Sequence, residues 1–103
     1  MKQAEKNAAI ARVADGDYKV TGQLVFATVR DLLRASATVL QGEPRQSIDL
    51  SGVEHADSAG LALLIEWFCA AENAKRSVRF TGVPAQLRAL AKLSNLETVL
   101  PLS

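Results

Sequence analysis

A chain of 103 residues, 49% of them apolar, can build one hydrophobic core but not two. A net charge of +1 gives no field that favours nucleic acid or an anionic membrane, and a single cysteine excludes an internal disulfide. No apolar run reaches membrane-spanning length and no signal-peptide core opens the chain, so the expected compartment is the cytoplasm.

In chain order, residues 1–9 are polar with scattered alanines and are expected to fray, leaving 10–103 as the domain. Ile10 to Ala14 can form a first strand. Asp15-Gly16-Asp17 is a hairpin signal, and Tyr18 to Thr21 makes a second strand that Gly22 ends. From about Phe26, Val29, Leu32, Leu33, Ser36 and Leu40 trace an amphipathic helix, with Arg30, Asp31 and Arg34 on its other side. Gln41-Gly42-Glu43-Pro44 stops it.

Arg45 to Leu50 is a third strand, placed centrally because it feeds the helix that follows. Ser51-Gly52 reads as a turn. Leu61, Leu64, Ile65 and Phe68 then recur at helical steps and define a helix from about Ser58 to Ala74. Leu63 and Trp67 extend its apolar surface, either under a neighbouring helix or as a patch for a partner. Ser77 to Thr81 alternates as a fourth strand. Gly82-Val83-Pro84 turns into a third helix with Leu87, Leu90, Ala91 and Ser94 on its core side. Leu96 to Leu102 is a last packed turn or a docking tail. The pattern predicts an α/β domain: a mixed sheet of four or five strands with about three helices, mainly on one side.

The chemistry is concentrated at the start of the second helix. Asp57 or Ser58 can cap it, and small Ala59 and Gly60 leave the first turn open to another surface. A phosphate on Ser58 would sit near free amides, opposed by Asp57. Ser58, His55 and Asp57 are too closely spaced in sequence for a nucleophile, base and orienter to align, and no nucleophile elbow surrounds Ser58. His55 is expected at a surface turn. One Cys and one His do not make a structural zinc site, and no phosphate-binding loop is present, so neither catalysis, metal nor cofactor is expected. Cys69 reads as a small core residue.

Asp49-Leu50-Ser51, a short turn, then Asp57-Ser58-Ala59-Gly60 and an apolar helix resemble the signature of the STAS domain family. That family comprises anti-sigma-factor antagonists and the soluble domains of sulfate transporters. Val20-Thr21-Gly22-Gln23-Leu24 is similar to its early strand element. Gly82-Val83, Leu87, Leu90-Ala91-Lys92-Leu93 and Asn95-Leu96 are similar to the MlaB-type branch, the STAS subunits of Mla phospholipid-transport ABC complexes of Gram-negative bacteria.

The resemblance implies a non-enzymatic domain that binds an MlaF-like ATPase subunit and lies peripheral to the inner membrane through that complex. The alternative it implies is an anti-sigma-factor antagonist, bound by an anti-sigma factor that is also a serine kinase, with Ser58 phosphorylated. Either way the expected partner surface comprises Ser51, His55, Asp57, Ser58, Ala59, Gly60, Leu63 and Trp67.

Overall fold

The computed structural model describes residues 7–103. The expected fraying of 1–9 therefore falls mostly outside the described residues, but Ala8 and Ala9 already belong to the first strand, β1 (Ala8–Ala14). It pairs antiparallel with β2 (Asp17–Leu24), and β2, β3 (Arg45–Ala56) and β4 (Ser77–Thr81) run parallel, in the order β1-β2-β3-β4. Helices α1 (Phe26–Val39), α2 (Ser58–Asn73) and α3 (Ala85–Leu93) follow β2, β3 and β4 in turn. Leu102 bridges Phe80 at the free edge of β4, a one-residue start of a fifth strand position.

Strand alternation puts Tyr18, Val20, Leu24, Ile48, Leu50, Val78 and Phe80 on one face, where they form a single core with Leu32, Leu64, Leu87 and Ala91 from the helices. Lys19, Thr21 and Arg79, on the opposite face, are exposed. The helices thus cover one side of the sheet. Leu100 is buried and Pro101 accepts a backbone bond from Phe80, so the tail packs on the domain.

Two sequence signals meant something other than a turn. Gly22 does not end β2. It adopts φ +95°, and a Cβ there would lie 2.2 Å from the Asn7 carbonyl oxygen, so glycine lets β2 continue past β1. Ser51-Gly52 does not end β3 either. Lys19 pairs with Asp49 but Thr21 pairs with Gly52, so β3 carries one extra residue there, a β-bulge. A second shift separates the Gly22–Val53 and Gln23–His55 pairs. Each bulge resets the alternation, which is why buried positions run Ile48, Leu50, Val53, Ala56. His55 consequently lies in a strand, not in a turn.

The core face of α2 is rotated from the expected one. Leu61, Leu63, Leu64, Trp67 and Ala71 are buried, whereas Ile65 and Phe68 are half-buried and Cys69 is exposed. The helix packs on both the sheet and α1, so two adjoining stripes are covered. The Trp67 ring stacks on Phe80 at 6.4 Å, and its Nε1 donates to Ser36 Oγ at 2.8 Å. On α3, Leu87 and Ala91 are buried, Leu90 is half-buried and Ser94 is exposed, with Pro84 as N-cap.

Candidate functional site

Three parallel strands each lead into a helix, so the N-termini of α1, α2 and α3 gather at one pole of the domain. Asp57 organises that pole. Its backbone is extended, its Oδ1 accepts from the Ala59 N–H at 2.8 Å, and it is the N-cap of α2. Its Oδ2 lies 3.4 Å from the Phe26 N–H, at the start of α1. Its own N–H donates to the Leu24 carbonyl at 3.1 Å. One aspartate therefore ties the start of α2 to the end of β2 and the start of α1. Thr28, buried beneath, closes the α1 terminus by accepting from the Val25 N–H and donating to the Gln23 carbonyl.

With Asp57 as cap, Ser58 becomes the first residue of α2 and is exposed. Its hydroxyl is not occupied in capping. Ala59 beside it is half-buried, and His55 is exposed at the end of β3 opposite Gln23. The Asp57 carboxylate is committed to backbone amides rather than to His55. Among the described residues, no hydrogen bond links the Ser58 hydroxyl to His55 or to the Asp57 carboxylate.

Gly60 was expected to leave room for a partner. It is buried, and the room is taken by the chain itself: an added Cβ would lie 2.6 Å from the Leu24 carbonyl oxygen and 2.9 Å from the Leu24 Cβ. Gly60 lets the first turn of α2 sit directly on the end of β2. Leu63 and Trp67 are 3% and 4% exposed, so the patch reading of these two gives way to packing beneath α1. Ser51 lies elsewhere again. It is exposed on the open face of the sheet, five residues before the end of β3, roughly 16 Å from the corner at strand rise. There the Ser51 N–H, and secondarily its side chain, hold the Asp49 carboxyl below its usual pKa, with Lys19 adding a smaller effect.

Between α1 and α2, beside Ser58, runs a groove of about 670 Å³. Its walls include Phe26, Val29 and Leu33 from α1 and Ala59, Ala62 and Leu63 from α2, with Arg30, Asp31 and Glu66 also lining it. Phe26 is 85% exposed and Leu33 38%. The sequence reading named neither as a site. The signal was present: Phe26, Arg30 and Leu33 are spaced by four and three, a second stripe beside the buried Thr28, Leu32 and Ser36. Phe26 thus stands exposed at the mouth of a largely apolar groove.

The family model described as "Mlab, STAS domain" matches residues 11–101. The chain belongs to the STAS domain family. Among solved structures, it is similar to an anti-sigma factor antagonist from Mycobacterium paratuberculosis, at 25% identity and a TM-score of 0.74, covering 98% of this chain and 89% of that one. The anti-sigma factor antagonist SpoIIAA in its unphosphorylated form aligns at 13% identity and a TM-score of 0.69, over 91% of this chain and 85% of the other. SpoIIAA of Bacillus in the phosphorylated form gives 13% identity and 0.65, over 91% and 88%. These last two likenesses show the fold. No curated protein matches in sequence. No helix among the described residues is long and apolar enough to cross a membrane.

Proposed function

We propose that this STAS domain is the non-catalytic subunit of an Mla-type ABC phospholipid transporter, which maintains lipid asymmetry of the outer membrane. It binds the MlaF-like ATPase and stabilises or tunes it, and so lies at the cytoplasmic side of the inner membrane through that complex. The observation that carries this reading is the MlaB-type family match over residues 11–101. The contact is the α2 corner with the adjoining groove: Ser58, Ala59 and His55, framed by Phe26 and Leu33.

Co-expression with the ABC ATPase of the same organism tests it. The parent is expected to co-purify with the ATPase, and Ser58→Glu to lose at least tenfold in affinity, about 1.4 kcal/mol, while remaining folded. A parent that fails to bind the ATPase overturns this assignment.

A second reading is supported by the 25% identity to an anti-sigma factor antagonist over nearly the whole chain, together with the exposed hydroxyl of Ser58. In it the partner is an anti-sigma factor that is also a serine kinase, and phosphate on Ser58 breaks the complex by charge and bulk. Incubation with such kinases and ATP, followed by mass spectrometry, decides between the two. Stoichiometric Ser58 phosphate that abolishes binding favours the second reading.

A further inference from the structure

Toward the end of α2 away from Ser58, a second cavity of about 420 Å³ lies between the C-terminal halves of α1 and α2. Leu33, Leu40, Trp67 and Ala71 form its apolar lining. Gln46, at the start of β3, also lines it. Gln46 is 5% exposed, and its Nε2 has no hydrogen-bond partner among the described residues. A buried donor left unpaired is costly, so such a position calls for an acceptor.

The ends of two helices normally supply acceptors in excess, as unsatisfied carbonyls. Here most of them are taken. Ser36 O accepts from the Leu40 N–H, Ala37 O from Gln41 Nε2, Val39 O from the Gln41 N–H and Leu40 O from Arg76 Nη1. On α2, the carbonyls of Ala70, Ala71 and Glu72 accept from the N–H groups of Ala74, Arg76 and Lys75. The Ser36 hydroxyl donates to Leu33 O and accepts from Trp67. Among the described residues, the buried Gln46 Nε2 and the remaining N–H groups of Arg76 are donors in this lining without a partner. Arg76 is also the one charged residue in that lining.

We propose that this cavity is a binding site for a small organic carboxylate. The carboxylate meets Gln46 Nε2 and the Arg76 guanidinium, and a short aliphatic body lies against Leu33, Leu40 and Trp67. A cavity of this size with apolar walls and a few polar donors has the usual composition of a small-molecule site. The cavity shares Leu33 with the groove beside the α2 corner, but its donors, Gln46 and Arg76, lie outside that groove, and the proposal does not depend on the partner assigned there.

Trp67 is the chain's one tryptophan, so the purified domain carries its own reporter. Octanoate titrated into the protein is expected to change Trp67 emission saturably, whereas octanol and acetate, each lacking one half of the match, are expected to bind at least tenfold more weakly. Gln46→Leu, which keeps the volume and removes the orphan donor, should keep or raise the melting temperature yet weaken octanoate at least fivefold. Arg76→Lys keeps the charge but not the planar fork and should lose less than Arg76→Gln. Amide and indole NMR shifts provide a second readout that survives a weak fluorescence change. No saturable response to octanoate up to about 10 mM overturns the proposal and leaves water as the partner of Gln46. Equal binding of octanol and octanoate, or of octanoate to the parent and to Gln46→Leu, overturns it as well.

Discussion

Gly60→Ala is predicted to destabilise the domain, although alanine is the better helix former. In the interior of an exposed helix that exchange would stabilise by about 1 kcal/mol. At Gly60 the added methyl would stand 2.6 Å from the Leu24 carbonyl oxygen, roughly an ångström inside ordinary contact. Leu24 is fully buried and its carbonyl accepts from the Asp57 N–H at 3.1 Å, so neither side can give freely. The α2 N-terminus must lift, stretching that bond and the Asp57 contact to α1. Overpacking of this kind costs about 1–3 kcal/mol. Set against the helix gain, the net expectation is a loss of up to about 2 kcal/mol, or a melting temperature lower by up to roughly 16 °C for a domain of this size. Thermal and urea unfolding of the two proteins measure it. If Gly60→Ala is instead more stable than the parent by the roughly 1 kcal/mol of the helix gain, α2 does not rest on β2 as described, and the geometry of the corner has to be redrawn.

Other outcomes follow from the same contacts. Phe26→Asp should shift stability by no more than about 0.5 kcal/mol, because the ring is exposed, yet weaken the ATPase complex at least tenfold in a binding titration; unchanged binding would remove the groove from the interface. Trp67→Phe should cost about 1–3 kcal/mol in urea unfolding, since it deletes the bond to Ser36 inside the core; a neutral result would mean that bond carries no weight. Asp49 has a folded-state pKa below its unfolded one, so its stabilising contribution is complete above the ordinary carboxylate range and fades as pH falls through the lowered value. Titration of its side-chain carboxyl by NMR should show that lowered midpoint in the parent and its return toward the ordinary value when Ser51 is replaced by proline, which has no N–H to donate.

The elements themselves were legible because each has its own period. Helices α1 and α2 start at Phe26 and Ser58 as spacing predicts, and β4 has the expected bounds. What failed were places where one residue type serves two purposes. A Ser-Gly pair signals a turn or a bulge, and only the register of a neighbouring strand separates them, which no local window contains. Gly60 was read as space for a partner because its consumer, Leu24, lies 36 residues earlier in the chain. Leu63 and Trp67 could be a patch or a second core stripe, and the choice depended on where α1 lay. Cys69, one residue past Phe68, fell on the wrong side once the core stripe rotated. The resemblance located Ser58 correctly at the start of α2, but it could not distinguish the exposed hydroxyl from its buried neighbours.

That distinction bears on what charge does at Ser58. A phosphate there was expected to find free amides at the helix end. The structure leaves few. The Ala59 N–H is held by the Asp57 carboxylate, and the Gly60 and Leu61 N–H groups are held by the Asp57 carbonyl at 3.0 and 3.3 Å. An anion on Ser58 would meet the residual dipole of α2, worth under about 1 kcal/mol at an exposed site, and a neighbouring carboxylate of the same sign. These terms nearly cancel, and neither gives the isolated domain a reason to change shape. A charge at this residue therefore has little leverage on the fold and much on any surface docked against the corner, where it would be stripped of water without a donor to receive it. Asp57 thus secures α1, α2 and β2 to one another and occupies the first amides of α2; under the proposed function, a charge on Ser58 would act on the docked partner and not on the domain.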